Sequence, residues 1–533
     1  ELNSSQNKML RILGVDNDAV NQGWMCDKGR YNFEYLNSDS RLKDPLKMID
    51  NELVEIEIQD VYSELTEFIK DRQTKVNFLL GSNLTNEDYF AFREFSKTIS
   101  QSETSFYLND DLLYKGFFGD NIELAKIDDL NSSDAIVVWA EDLKEKLPVL
   151  YLRIRQAVKN GVKLVVFGHT NETLSDIADV FYGKDMVSEN FEILKDLSKM
   201  KEINNLVVGK NITAILGKST PYQADESITK LFEFLNSNAN SKVLNAYSKG
   251  NTYGAFQTLE NLKGLNDFVN DISKDNTDLL FIVGADPIGR SVYSNQIKSI
   301  IKSIDTVVTL DNFNHETSEL SDYVVPISST LGEKEGTFTN IEFRTSRIEK
   351  LVPSPGQTVS DWEFITSLMN FAGLKAEANS LEDLNRKAYE NLDSSLSPVF
   401  DNLDKPSNLD GMINISKPKI STSENKLNKT MFFTGEKLYG DSATERHSDS
   451  ISMLGSKKFI EVSESVVEKY NLTSGSCTLT QDELEVTVSY EVNNNFPNDL
   501  VYIPTNRREL NKFDFSREIM IIPSQVKEAL NVN

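Results

Sequence analysis

Leu279-Leu280-Phe281-Ile282-Val283-Gly284-Ala285-Asp286-Pro287 decides the fold class. Five apolar residues run without interruption and stop at a glycine, an acid and a proline. A half-buried strand alternates apolar with polar side chains. One that is apolar throughout is covered on both faces, as in a parallel sheet between helical layers. The same unit recurs in both directions, at 76–81, 135–140, 163–168, 212–217 and 306–310. Between these runs lie amphipathic stretches at 86–98, 148–160 and 227–235. The alternation predicts a doubly wound α/β architecture, and the number of units predicts two Rossmann-like lobes. Ligands in such folds sit beyond the carboxyl ends of the strands. The loops 284–287 and 311–317, and the run 321–326 leading into 332–340, are distinctive among those at strand ends.

The flanks differ from this core. Residues 1–50 are polar and turn-rich and are expected to cap the domain that follows. Residues 51–375 carry the lobes. From 376 to 430 the chain turns polar, as weakly amphipathic helix followed by linker. Residues 431–533 are β-rich, with runs at 458–462, 476–480, 485–490 and 500–505 and a short helix near 465–470. They predict a small barrel-like domain.

Composition excludes several classes of function. Against 82 acidic residues stand 56 basic ones, a formal charge of −26 that repels nucleic acid and anionic membrane surfaces. Two cysteines do not make a disulfide framework and fit a reducing cytosol. No apolar run approaches the ~18 residues of a membrane-spanning helix. A chain beginning at Glu1 without a signal pattern reads as an internal fragment or a processed product.

One of the two cysteines, Cys26, lies in Gly23-Trp24-Met25-Cys26-Asp27-Lys28-Gly29-Arg30. On residue type it is either incidental or a soft metal ligand, and one cysteine does not hold a cluster alone. His169, His315 and His447 are far apart, outside any metal spacing, and read as ordinary loop residues. Glu333, Glu335 and Glu342 are either paired carboxylates for acid–base chemistry or solvated loop acids. Gly336, Thr337, Thr339 and Asn340 combine close backbone approach with hydroxyl and carboxamide groups, suited to a polar heterocycle or simply to a turn. There is no G-x-S-x-G, no P-loop and no G-x-G-x-x-G after the first strand.

The order of these residues resembles the molybdopterin oxidoreductase superfamily. Thr317-Ser318-Glu319-Leu320-Ser321-Asp322-Tyr323-Val324-Val325-Pro326 resembles its T-A-x-x-A-D-V-V-L-P motif. Glu335-Gly336-Thr337-Phe338-Thr339-Asn340 and Arg344 resemble its E-x-x-G-T-F-x-N-x-E-G-R motif, with Phe343 in place of the last glycine. Arg30, Arg41-Leu42 and Pro45-Leu46 resemble its entry segment.

Within that superfamily, the segment Val20-Asn21-Gln22-Gly23-Trp24-Met25-Cys26-Asp27-Lys28-Gly29-Arg30-Tyr31 is similar to the large iron–sulfur G subunit of bacterial NADH–quinone oxidoreductase, complex I. Asn251-Thr252-Tyr253-Gly254-Ala255 also resembles a complex I loop. The resemblance implies that Cys26 is the last ligand of a [4Fe–4S] cluster whose other ligands precede Glu1. Lys28 is then either a positive charge beside the cluster or a surface lysine. It implies partners among the peripheral-arm subunits, including the NADH-oxidising one, with no nucleic acid and no direct membrane insertion. It places the chain in the cytoplasm, at the cytoplasmic face of the bacterial inner membrane.

Two departures lead to the expectation that molybdopterin is absent. Gly168-His169-Thr170-Asn171 stands where cofactor-binding members carry an Asp-Pro-Arg-like turn, and Cys477 lies in the β-rich tail. The alternative is a catalytic molybdenum or tungsten bis-pterin subunit resembling formate dehydrogenase. In that case Gly336, Thr337, Thr339 and Asn340 contact the cofactor.

Overall fold

In the computed structural model, Leu279–Val283 is a central, fully buried strand of a seven-stranded sheet. It pairs in parallel with Val76–Leu80 on one side and Thr306–Asp311 on the other. Tyr323–Pro326 and Phe106–Leu108 continue the parallel order outward. The structure describes residues 1–70, 73–99, 104–110, 122–168, 173–182, 203–217, 231, 235, 238, 240–259, 262–376, 378–390, 430–455, 457–507, 509–515 and 517–524.

The helix Asn86–Ile99 shows how the layers are fixed. Thr85 and Asp88 cap its start reciprocally: the Thr85 amide donates to the Asp88 carboxylate at 2.8 Å, and the Asp88 amide donates to the Thr85 hydroxyl at 3.1 Å. Phe92 and Phe95, one helical turn apart, then pack edge-on against Phe78 of the sheet, and Phe95 also meets Phe281.

The second sheet has six strands, in the order Val180–Tyr182, Lys163–Phe167, Ala135–Trp139, Ile212–Leu216, Ser241–Asn245 and Glu123–Leu124. Every pair in it is parallel. All six apolar runs read from the sequence are strands of these two sheets. Their chain order is not sequential, because the second lobe is inserted into the first: strands at 76–108 and 279–326 flank it. The expected helix at 227–235 falls largely outside the described residues.

The expected boundary at residue 50 cuts a hairpin. Leu46–Ile49 pairs antiparallel with both Glu52–Glu55 and Tyr323–Pro326, and so extends the seven-stranded sheet. Asp50 and Asn51, with φ of 51° and 67°, make the two-residue turn. Of the segment 376–430, Leu381–Glu390 is helical, and residues 391–429 lie outside the described chain.

The C-terminal domain is a mixed six-stranded sheet in the order Met431–Gly435, Leu500–Pro504, Phe459–Val462, Leu484–Val492, Ser476–Gln481 and Met520–Pro523. Its first and last strands do not pair with each other, so it forms a half-barrel rather than a closed one.

Candidate functional site

Cys26 caps the five-residue helix Asp27–Tyr31, its sulfur accepting the Gly29 amide at 3.4 Å. The cysteine is partly exposed, and neighbouring Trp24 is exposed. The C-terminal domain holds this segment from behind. The Tyr439 hydroxyl donates to Asp27 at 3.3 Å, Ser448 donates to the Asn32 carbonyl at 3.1 Å, and the Ser450 amide donates to Glu34 at 2.8 Å. Lys28 extends to Glu445, with Nζ to Oε1 at 2.9 Å. Lys28 is therefore an ion-pair partner and not a free surface lysine. Cys477 is buried in the core of the C-terminal sheet, where burial pushes its thiol up to about 12. It is remote from any shared ligand role with Cys26. Cys26 presents a partly exposed sulfur with a backbone N–H directed at it.

At the carboxyl ends of both parallel sheets, ion pairs join the loops to the C-terminal domain. Gly81 and Gly284 follow adjacent strands, and a Cβ on Gly81 would lie 2.1 Å from the Gly284 carbonyl oxygen, so glycine is required there. Beyond them Glu436 faces Lys146 at 3.1 Å, and Lys249 and Arg290 at 3.8 Å each. Burial opposes its ionisation, yet these cations hold it well below the usual carboxylate range. Lys437 faces Glu461 at 2.5 Å. Asp142, half-buried, is pushed up to about 7 by desolvation and by neighbouring Glu145.

His315 lies at the carboxyl end of the seven-stranded sheet, in a buried charge cluster that its reading as an ordinary loop residue did not foresee. It is buried between Asp286, 3.3 Å from Nδ1, and Asp311, 3.2 Å from Nε2. Burial alone would lower its pKa, but the two acids carry it to about 10. Asp286 is in turn fixed by the Thr317 hydroxyl at 2.6 Å and the Gly289 amide at 3.0 Å. Asp311 ends the strand Thr306–Asp311, and Asp286 lies in the turn after Leu279–Val283, beyond Gly284 and Ala285. His447 stacks on Phe313, ring centroids 4.5 Å apart. His169 and the turn at 169–171 lie outside the described residues.

The glutamate-rich stretch is internal, against the reading of solvated loop acids. Arg41 meets Glu333 through two bonds of 2.8 Å, both side chains buried. Glu342 accepts the Ile127 amide at 2.8 Å. Only Glu335 remains near solvent, 3.4 Å from Arg347. Lys334 is buried between Asp88, at 2.6 Å, and Asp361.

Gly336–Thr339 is a strand, not an open loop. The Thr337 amide and hydroxyl both donate to Glu87 at 2.8 Å, and the Thr339 amide donates to Asn251 at 2.7 Å. A Cβ on Gly336 would lie 2.6 Å from Thr85. Asn340 caps the turn, accepting the amides of Glu342 and Arg344 at 2.9 and 3.0 Å. Phe343 takes φ of 58°, the left-handed conformation glycine favours, and its ring lies 4.0 Å from that of Tyr253. As they stand, these residues do not fit a pterin dinucleotide. The hydroxyls are bonded to the chain itself, and Lys146, Lys249, Arg290 and Lys437 each face a carboxylate.

The chain belongs to the molybdopterin oxidoreductase family, whose model matches residues 41–371. It is 22% identical over 465 residues to the F420-dependent formate dehydrogenase subunit alpha of Methanocaldococcus jannaschii, covering 70% of this chain and 69% of that one. With one formate dehydrogenase alpha subunit of Methanococcus maripaludis the identity is 23%, over 68% of this chain and 66% of the relative. The G 2 subunit of the NADH-quinone oxidoreductase of Rhizobium meliloti is 25% identical over 247 residues, 44% of this chain and 28% of that protein. Acetylene hydratase from Pelobacter acetylenicus shares the fold, with a TM-score of 0.60 at 12% identity over 90% of this chain and 87% of that one. Family membership gives no support to the expectation that molybdopterin is absent. No helix among the described residues is long and apolar enough to cross a membrane.

Proposed function

We propose that this chain is the electron-transfer and structural G subunit of a proton-translocating NADH–quinone oxidoreductase. Cys26 would supply one thiolate to a [4Fe–4S] cluster in the intact protein, a group that passes single electrons when bound. The carrying observation is the Cys26 segment: an accessible sulfur with a backbone donor, on a helix the C-terminal domain clamps through Asp27, Lys28, Asn32 and Glu34. The lobes serve as scaffold, which is supported by the internal matching of the charges at their sheet ends. The partners are other peripheral-arm subunits, including the NADH-oxidising one, at the cytoplasmic face of a bacterial inner membrane.

A second reading is a catalytic molybdenum or tungsten bis-pterin subunit. It is favoured by formate dehydrogenase relatives that cover more of this chain than the Rhizobium meliloti relative does. Gly336, Thr337, Thr339 and Asn340 would then border the cofactor, after a rearrangement that frees Thr337 and Thr339.

Metal analysis of the intact protein decides between them. The first reading expects iron and sulfide without molybdenum or tungsten, and loss of a [4Fe–4S] paramagnetic signal in Cys26→Ser. Stoichiometric molybdenum or tungsten would overturn it.

A further inference from the structure

Three cations from separate strand-end loops converge on one carboxylate of the C-terminal domain. Lys146 ends the helix Leu143–Lys146, which follows Ala135–Trp139 of the second sheet. Lys249 lies beyond Ser241–Asn245 of the same sheet, and Arg290 ends the short helix after Leu279–Val283 of the first. Glu436 comes from outside both sheets, directly after the strand Met431–Gly435. A doubly wound fold receives ligands beyond the carboxyl ends of its strands, and here a side chain of the protein itself stands there. Its fit is incomplete. Only Lys146 is within hydrogen-bond distance, 3.1 Å from Oε2, and it also faces Glu141 at 3.2 Å. Lys249 and Arg290 stop 3.8 Å from Oε1, beyond the ~2.7–2.9 Å of a charge-assisted hydrogen bond. Among the described residues, Nε of Arg290 has no hydrogen-bond partner. Burial opposes the Arg290 charge, while Glu436, Glu445, Asp286 and Asp110 favour it. All four side chains keep some contact with solvent, from 13% for Lys146 to 28% for Arg290, so a small solute can reach them.

We propose that Lys146, Lys249 and Arg290 form an oxyanion site of the phosphate type, and that Glu436 is its built-in occupant, carried there by the C-terminal domain. A carboxylate offers two oxygens in one plane. A phosphate offers its oxygens in a tetrahedral arrangement and carries more charge, which suits three cations arriving from three loops. The backbone beside Glu436 keeps the occupant in place: the Leu438 amide donates to Glu145 at 2.8 Å, and Lys437 faces Glu461 at 2.5 Å. A free anion must therefore displace a tethered one, whose effective concentration is high, and the wild-type site stays closed. This goes beyond the scaffold reading of the lobes, and its test needs no cluster.

Inorganic phosphate, titrated calorimetrically into the full chain, is the probe. Glu436→Gln keeps the shape of the side chain and removes its charge. It should bind one phosphate per chain at least roughly tenfold more tightly than wild type. Phosphate should also raise the melting temperature of this variant more than that of wild type. Adding Arg290→Gln to Glu436→Gln should abolish the gain, which separates this site from phosphate held by surface lysines. Should Glu436→Gln fail to fold, Glu436→Asp serves in its place: it keeps the charge, withdraws it by one methylene, and should bind phosphate more tightly than wild type. Equal phosphate affinity in wild type and the folded variant would overturn the inference, as would a gain that survives the loss of Arg290. Neither result bears on the iron, sulfide or molybdenum content that tests the electron-transfer reading.

Discussion

Glu87 is the acid whose neutralisation should stabilise the seven-stranded lobe. It lies buried in the first turn of the Asn86–Ile99 helix, accepting both the amide and the hydroxyl of Thr337 at 2.8 Å. Burial is the main reason its carboxyl is pushed up to about 7, with Asp88 adding and Thr337 opposing. In the unfolded chain it returns to its ordinary 4.5. The folded value is the higher, so its contribution is fully present below about pH 4.5 and is lost as pH rises toward 7. From 4.5 to about 7 is about 2.5 pH units, equivalent to roughly 3 kcal/mol at ~1.4 kcal/mol per unit. Glu87→Gln removes the titration, and its carboxamide still accepts from one Thr337 donor. Relative to wild type, the variant should gain about 2 kcal/mol between about pH 5.5 and about pH 8, a range that stays clear of the isoelectric region. Opening free energies of amides in the Asn86–Ile99 helix and the Gly336–Thr339 strand, from native-state hydrogen exchange, isolate this lobe from the rest of the chain. Parallel wild-type and variant profiles across that range would refute the reasoning. So would a variant less stable than wild type at pH 8.

Lys334→Met should destabilise the same lobe by about 3–5 kcal/mol, because it leaves Asp88 and Asp361 buried and facing without a cation. The triple variant with Asp88→Asn and Asp361→Asn should recover part of that loss, measured as a denaturant midpoint. His315→Gln should cost a similar ~3–5 kcal/mol by stranding Asp286 and Asp311. Because His315 is raised from 6.5 to about 10, its contribution is present below pH 6.5 and fades as pH climbs through 10. The variant's stability should therefore be flatter than wild type over that interval.

The elements legible in the sequence are those whose physical cause is local. Leu279–Val283 and Ala135–Trp139 reveal themselves because both faces are covered and every side chain is apolar. Phe106–Leu108 and Val180–Tyr182 do not, because three residues at a sheet's flank carry no period to read. The insertion of one lobe into the other leaves no mark either, since strands from both sheets look alike one by one. Cys26 stands out by its scarcity. The site around it does not, because Tyr439 lies 412 residues from Asp27 and no spacing rule reaches that far. His315 is hidden for a related reason: its two acids follow different strands and meet only because those strands are neighbours.

The buried ion pairs share a pattern that bears on why they persist. Arg41 and Glu333 are 292 residues apart, and Lys334 and Asp88 are 246 apart. Each joins segments that the chain must bring together from far away. Taking such charges out of water costs several kcal/mol per ion, so these pairs are poor sources of net stability. Mispairing one, however, leaves a buried charge alone, which costs more than any apolar mismatch. In a protein with 82 acids and only 56 basic residues, acids outnumber the cations that can pair with them. Arg41–Glu333 ties the N-terminal segment to the first lobe, and Lys334 joins Asp88 and Asp361 within that lobe. Lys28–Glu445 makes a comparable link between the Cys26 helix and the C-terminal domain.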